Sequence, residues 1–115
     1  MKLEEIKKLD NKDLIISVVE FLGWKTITTR HGTAFFKDGC AIPYTEVPKY
    51  PNDLNACADF ESSMDENGRC EYLYALGEVI YGLESNRNDW REIDMVMASP
   101  RQKSEAFLFC QTEER

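Results

Sequence analysis

The stretch WKTITTRHGTAFFKDGCAIP, from Trp24 to Pro43, restricts the fold more than any other part of the chain. β-branched and aromatic residues fill WKTITT and TAFFK, and the RHG between them supplies Gly32, which can take the positive φ of a tight reversal. The chain therefore doubles back as a β-hairpin. Asp38 and Gly39 signal a second turn, after which CAIP gives a short third strand stopped by Pro43.

Helical patterns flank this β segment. Leu14, Ile15, Val18, Val19 and Leu22 are spaced for one helix face, with Asp10 or Asn11 as cap and Gly23 as stop. The residues before it, MKLEEIKKLD, read as a frayed segment of residues 1–10. Three prolines between 43 and 51 rule out regular structure there and deliver the chain to Asn52, the expected cap of the next helix. Asp53 suits the positive helix end, Asn55 helps close the cap, and Leu54, Cys57, Ala58 and Phe60 or Glu61 begin the apolar stripe. That helix should run to about Glu66 and stop at Gly68. CEYLYALGEVIYGL spaces Tyr72, Leu73, Leu76, Val79, Ile80 and Leu83 as a helix, although its Tyr, Val and Ile content would also suit a strand. SNRND is a polar loop, and WREIDMVMA alternates Ile93, Met95 and Met97 as a strand does. In SPRQKSEAFLFC, Ser99 at N-cap, Pro100 at N1 and Gln102 at N3 make a capping box.

A chain of 115 residues with 43% hydrophobic content forms one domain, residues 1–115, with a modest core that oligomerisation would extend. Trp24, Trp90, Met95, Met97, Phe107 and Phe109 exceed what short elements can cover, which points to a homo-oligomer, a dimer or larger. Twenty-one acidic against 14 basic residues give a formal charge of −7, so general attraction to a nucleic acid polymer or an anionic membrane is excluded. The chain has no signal-peptide h-region and no membrane span, and an intracellular place is expected. Cys40, Cys57, Cys70 and Cys110 lie far apart with one histidine to help them, so zinc is not expected and the thiols read as reduced and mostly buried.

His31 would need a nucleophile or carboxylate beside it to serve catalysis, and its place in the hairpin turn makes it an exposed turn residue instead. Asp59, Glu61, Asp65, Glu66 and Glu71 could hold a metal or pair as acid and base, but a solvated acidic helix face accounts for them with less. Arg101 and Lys103 are more pointed. They fall in the first turn of the last helix, where backbone amides and the dipole already favour an anion and basic side chains suit the helix poorly. Such residues ask for a carboxylate or a phosphate, and a salt bridge to a nearby acid is the plainer answer. No nucleophile, base and oxyanion donor can be named together, which disfavours a hydrolase.

YPNDLNACADFE, EYLYAL and MASPRQKSEAFL together resemble the phage ABA sandwich domain proteins, small phage-encoded proteins pairing an Asp-Leu-Asn-Ala helix start with a late A-[ST]-x-x-Q-[RK]-x-E-A-[FL]-L helix. Here Asp53, Leu54, Asn55 and Ala56 carry the first element, and Ala98, Ser99, Gln102, Lys103, Glu105, Ala106, Phe107 and Leu108 the second. The likeness covers roughly residues 12 to 110, and its motif positions are mainly caps and packing residues. It implies an α+β fold, an antiparallel sheet with helices packed on it as an α-β-α sandwich, in a phage or prophage accessory protein without an established enzymatic role. By analogy with anti-Thoeris sponge proteins, it further implies a non-enzymatic oligomer in the host cytoplasm. Such a sponge sequesters a small anionic nucleotide-type signal, a cyclic ADP-ribose isomer or a cyclic oligonucleotide, and needs no cofactor. Backbone amides with Arg101 or Lys103 would take phosphate, Asn52 or Asn55 the ribose hydroxyls, and Tyr50 the base. The alternative is an accessory protein that binds and blocks a host defence protein through its acidic surface.

Overall fold

Both turns form where their residues require them. In the computed structural model, which describes residues 1–112, β1 (Lys25–Thr29), β2 (Gly32–Lys37) and β3 (Cys40–Ile42) make an antiparallel sheet in the order β1-β2-β3. Thr29 faces Gly32 across a two-residue turn, and Gly32 has φ +125°. Asp38 and Gly39, at φ +52° and +79°, supply the two left-handed positions of the second turn, the hairpin geometry that Asp-Gly favours. Alternation then sorts the side chains. Thr26, Phe35 and Ile42 share the face turned to the helices, while Lys25, Ile27, Ala34 and Ala41 face solvent.

Among the described residues, six helices complete an α+β fold: α1 (Leu3–Lys8), α2 (Asn11–Phe21), α3 (Leu54–Ser63), α4 (Glu66–Tyr81), α5 (Glu92–Val96) and α6 (Pro100–Thr112). The hub is α6, buried from Ser104 to Cys110 and packed against α1, α2, α3, α4 and a 3₁₀ turn at Tyr50–Asn52. Phe107 stacks on Phe60 with ring centroids 4.6 Å apart, and Tyr72 meets Phe60 edge-on at 6.0 Å. Each Leu, Ile or Phe fully buried in this core contributes about 1.5–3 kcal/mol by its removal from water. The start of α6 follows its sequence: Ser99 Oγ accepts from the Gln102 amide at 3.1 Å, and Gln102 Oε1 accepts from the Ser99 amide at 3.0 Å. Asp10 caps α2 in the same way, accepting from the Asp13 amide at 2.8 Å, and Gly23 at φ +96° follows its end.

Five expectations are corrected. The first ten residues do not fray: they contain α1, whose Leu3 and Ile6 enter the core. The cap of α3 is Asp53, not Asn52, because the Asp53 carboxylate accepts from the Asn55 amide at 2.9 Å. That helix stops at Ser63, where Met64 turns extended, and Asp65 caps a new helix by accepting from the Gly68 amide at 2.7 Å. Gly68 is thus in the first turn of α4 and stops nothing. The strand expected around WREIDMVMA is α5, in which Ile93 and Met97 lie one helical turn apart and both stay exposed. Of the four cysteines Cys57 and Cys110 are buried, whereas Cys40, on an edge strand, and Cys70, on the outer side of α4, are exposed.

Candidate functional site

The residues expected to hold an anion converge only in part. The Tyr50–Asn52 turn, the start of α3 and the start of α6 do meet: the buried Cys57 thiol donates to the Tyr50 carbonyl at 3.3 Å and lies 3.7 Å from that of Pro100. Tyr50 itself points into the core, 2% exposed, with its ring 5.7 Å from that of Phe60. Burial pushes its phenol up to about 12. A base has no access to that ring. Asn52 and Asn55 are exposed, and Asn52 Oδ1 accepts from Asn11 Nδ2 at 3.3 Å.

Arg101 is spent within the fold. Its Nε donates to Glu105 at 3.1 Å and its Nη1 to Asn11 Oδ1 at 2.9 Å. Its Nη2 reaches the carbonyls of Leu9, Lys7 and Ile6 at 2.5, 3.3 and 3.5 Å. The Lys7 and Leu9 carbonyls lie at the end of α1, where the helix supplies no further amide, and the Ile6 carbonyl also accepts from the Leu9 amide at 3.1 Å, so the guanidinium acts as a cap donated from the far end of the chain. Glu105 is 6% exposed, and such a carboxylate needs the charge that Arg101 brings. Lys103 Nζ lies 3.3 Å from Glu61, which also accepts from the Tyr72 hydroxyl at 3.0 Å. Arg101, Asn11 and Asn52 therefore form one hydrogen-bonded chain, with Lys103 and Tyr50 committed elsewhere. The salt-bridge alternative describes both cations.

The other candidates are placed simply. His31 sits exposed in the hairpin turn, its amide donating to Thr29 Oγ1 at 3.1 Å. Burial holds the Cys57 thiol up at about 11, so it stays protonated and inert. Among the described residues, no three His, Cys, Asp or Glu side chains cluster as metal ligands do, and no helix is long and apolar enough to cross a membrane.

A second region, built around Trp90, escapes the sequence patterns. Gly77 lies inside α4, one turn before its end, and a Cβ there would fall 2.1 Å from the Trp90 ring, so only glycine lets the indole lie against this helix. Trp90 stacks on Tyr81 at 6.0 Å with the planes 7° apart, and its Nε1 donates to Ser85 Oγ at 2.9 Å. Tyr74 approaches edge-on, its own face covered by the Arg87 guanidinium at 4.4 Å. Two concavities share Trp90 and Tyr74. One, about 440 Å³, is lined by Glu71, Glu78, Leu83, Ser85 and Arg87 as well; the other, about 250 Å³, adds Cys70, Leu73 and Met95 and is apolar throughout. The Tyr81 hydroxyl donates to Asp94 and accepts from the Arg91 amide, tying α5 to α4. On that tether α5 displays Ile93, Val96 and Met97, which are 59, 69 and 75% exposed. The signal for this region in the sequence is a glycine inside a helical pattern followed by a tryptophan after a polar loop. No family model, curated protein or solved structure matches this chain.

Proposed function

We propose that this is a non-catalytic binding protein whose partner is another protein, engaged through the Trp90 face of α4 and α5. One observation carries the reading: Leu73 and Tyr74 stand exposed beside the half-buried Trp90, and α5, tied to α4 through Asp94, presents Ile93, Val96 and Met97 to solvent. Solvent-facing apolar groups gathered in this way mark interaction surfaces, and Trp, Tyr and Met are the residues that anchor them. Glu71 and Glu78 border the larger hollow and the chain carries −7, so the partner segment should pair apolar side chains with lysine or arginine. The resemblance to phage accessory proteins makes that partner a host defence protein, bound and blocked in the host cytoplasm. A nucleotide sponge finds less support, because Arg101 would have to release Glu105 and the α1 carbonyls to receive a phosphate.

The test compares wild type with a Val96→Asp, Met97→Glu double variant, both substitutions falling on exposed positions. Each is used to capture proteins from host cells carrying candidate defence systems. A polypeptide held by wild type, lost by the variant and weakened by salt is the expected result. In parallel, calorimetry titrates wild type with cyclic ADP-ribose isomers and cyclic dinucleotides. Binding there, with capture equal for both proteins, would replace the proposal with the sponge.

A further inference from the structure

The two edges of the sheet are treated differently. The outer edge of β3 is three residues long and ends at Pro43, features that discourage strand addition. β1 is five residues of Lys-Thr-Ile-Thr-Thr with no proline, and among the described residues nothing pairs with its outer side. The pairing register fixes what that side offers. Thr29 and Gly32 close a two-residue turn and are a hydrogen-bonded pair, so Ile27 and Lys25 also direct their amides and carbonyls to β2. The amides and carbonyls of Thr26 and Thr28 consequently point away from the sheet. Between them Ile27 is 57% exposed.

We infer that β1 pairs with β1 of a second copy, antiparallel and two-fold about Ile27, joining two three-stranded sheets into one of six strands. In this register Thr26 and Thr28 of one copy exchange hydrogen bonds with Thr28 and Thr26 of the other. Ile27 meets Ile27 at a non-hydrogen-bonded position, where side chains come closest. Lys25 falls opposite Thr29 and not opposite itself, so no like charges meet across the strands. The same register carried one residue further sets Trp24 opposite Arg30 of the second copy. Trp24 lines a hollow of about 670 Å³ at the start of β1 together with Glu20, Asp38 and Lys25, and Lys37 Nζ lies 5.5 Å from its ring; an incoming Arg30 guanidinium, which stacks on an indole better than an ammonium does, would take the place of that lysine between the two carboxylates. The two-fold axis makes this contact twice. A pure strand pair is small against the roughly 1,600 Å² of a standard interface, and the two arginine contacts are what make it specific. The association is reversible, as contacts below the standard interface size are. It does not depend on the Trp90 face.

Sedimentation velocity from about 5 to 500 µM should show a monomer–dimer equilibrium in that range. Arg30→Glu, at an exposed turn position, should weaken it at least about tenfold. The register is tested by oxidation in a Cys40→Ser, Cys70→Ser background, where Ile27→Cys should form a cross-linked dimer and Thr29→Cys should not, since the latter faces Lys25 of the second copy. A monomer across the whole range overturns the inference. So does cross-linking that is faster through position 29 than through position 27, or an Arg30→Glu variant that dimerises as wild type does.

Discussion

Gly77→Ala sets two effects of opposite sign against each other. Replacing a glycine inside a helix with alanine normally stabilises by about 1 kcal/mol, because the unfolded chain loses freedom and the helix loses nothing. At Gly77 the new methyl would meet three carbons of the Trp90 ring at 2.1, 2.4 and 2.6 Å, whereas ordinary contact begins at 3.4 Å. The ring would have to retreat by more than about 1 Å, in a packed site where overfilling costs about 1–3 kcal/mol. Retreat also strains the hydrogen bond from Trp90 to Ser85 and the stack on Tyr81, each worth about 0.5–1.5 kcal/mol. Crowding therefore outweighs propensity, for a net loss of about 1–4 kcal/mol. Urea denaturation followed by far-UV circular dichroism should show a midpoint lowered by about 0.5–2 M, for an m-value of about 2 kcal/mol/M. The same substitution made with Trp90→Ala should change sign and stabilise by about 1 kcal/mol, since nothing bulky then faces the methyl. A Gly77→Ala protein as stable as wild type would refute the reasoning, because it would mean that the indole does not lie on this helix.

Arg101→Glu should destabilise by about 2–4 kcal/mol in urea melts, since it strands the buried Glu105 beside a second carboxylate and uncaps α1; an unchanged midpoint would show those bonds to be idle. Ser99→Ala should cost about 1 kcal/mol, the usual value of an N-cap, and a midpoint that does not move would assign the cap elsewhere. Stability should fall as pH rises from about 9 to 12: burial raises Cys57 to about 11 and Tyr50 to about 12, so the unfolded chain releases these protons first and is favoured in that window. Urea midpoints at pH 8, 9, 10 and 11 test this, and a flat series would contradict the burial of both groups.

Elements whose signals are local were legible in the sequence. The Asp-Gly turn, the Ser99 and Gln102 box and the Asp10 cap each draw on side chains within three residues, and each forms as its composition dictates. Asp65 carries the same kind of local signal, an Asp three residues before the amide it caps, but the acidic residues around it and the glycine at 68 imitate a solvated face and a helix stop. Over α5 the segment is too short for periodicity to decide, because apolar residues at 93, 95 and 97 serve a strand at every second position and a helix at 93 and 97. The candidate site depended on long-range facts. That Arg101 serves carbonyls more than 90 residues away, and that Tyr50 faces Phe60, cannot be read from neighbours in the chain. Gly77 carries its meaning only once Trp90 is brought across it.

The central place of α6 bears on the order in which the molecule can be made. α1 to α5 leave the ribosome before the helix that most of them pack against, and α2 ends about 90 residues ahead of the last residue of α6. At ordinary rates of synthesis that is a wait of roughly 5 to 18 seconds. During it the apolar faces of α1 and α2, and the carbonyls that Arg101 will cap, have no permanent partner. Local turns such as the β1–β2 hairpin can close early, but the core condenses in one late step, when the final helix arrives. Nascent chains stalled before Pro100 should be digested by protease throughout their length, and chains released after Thr112 should become resistant all at once.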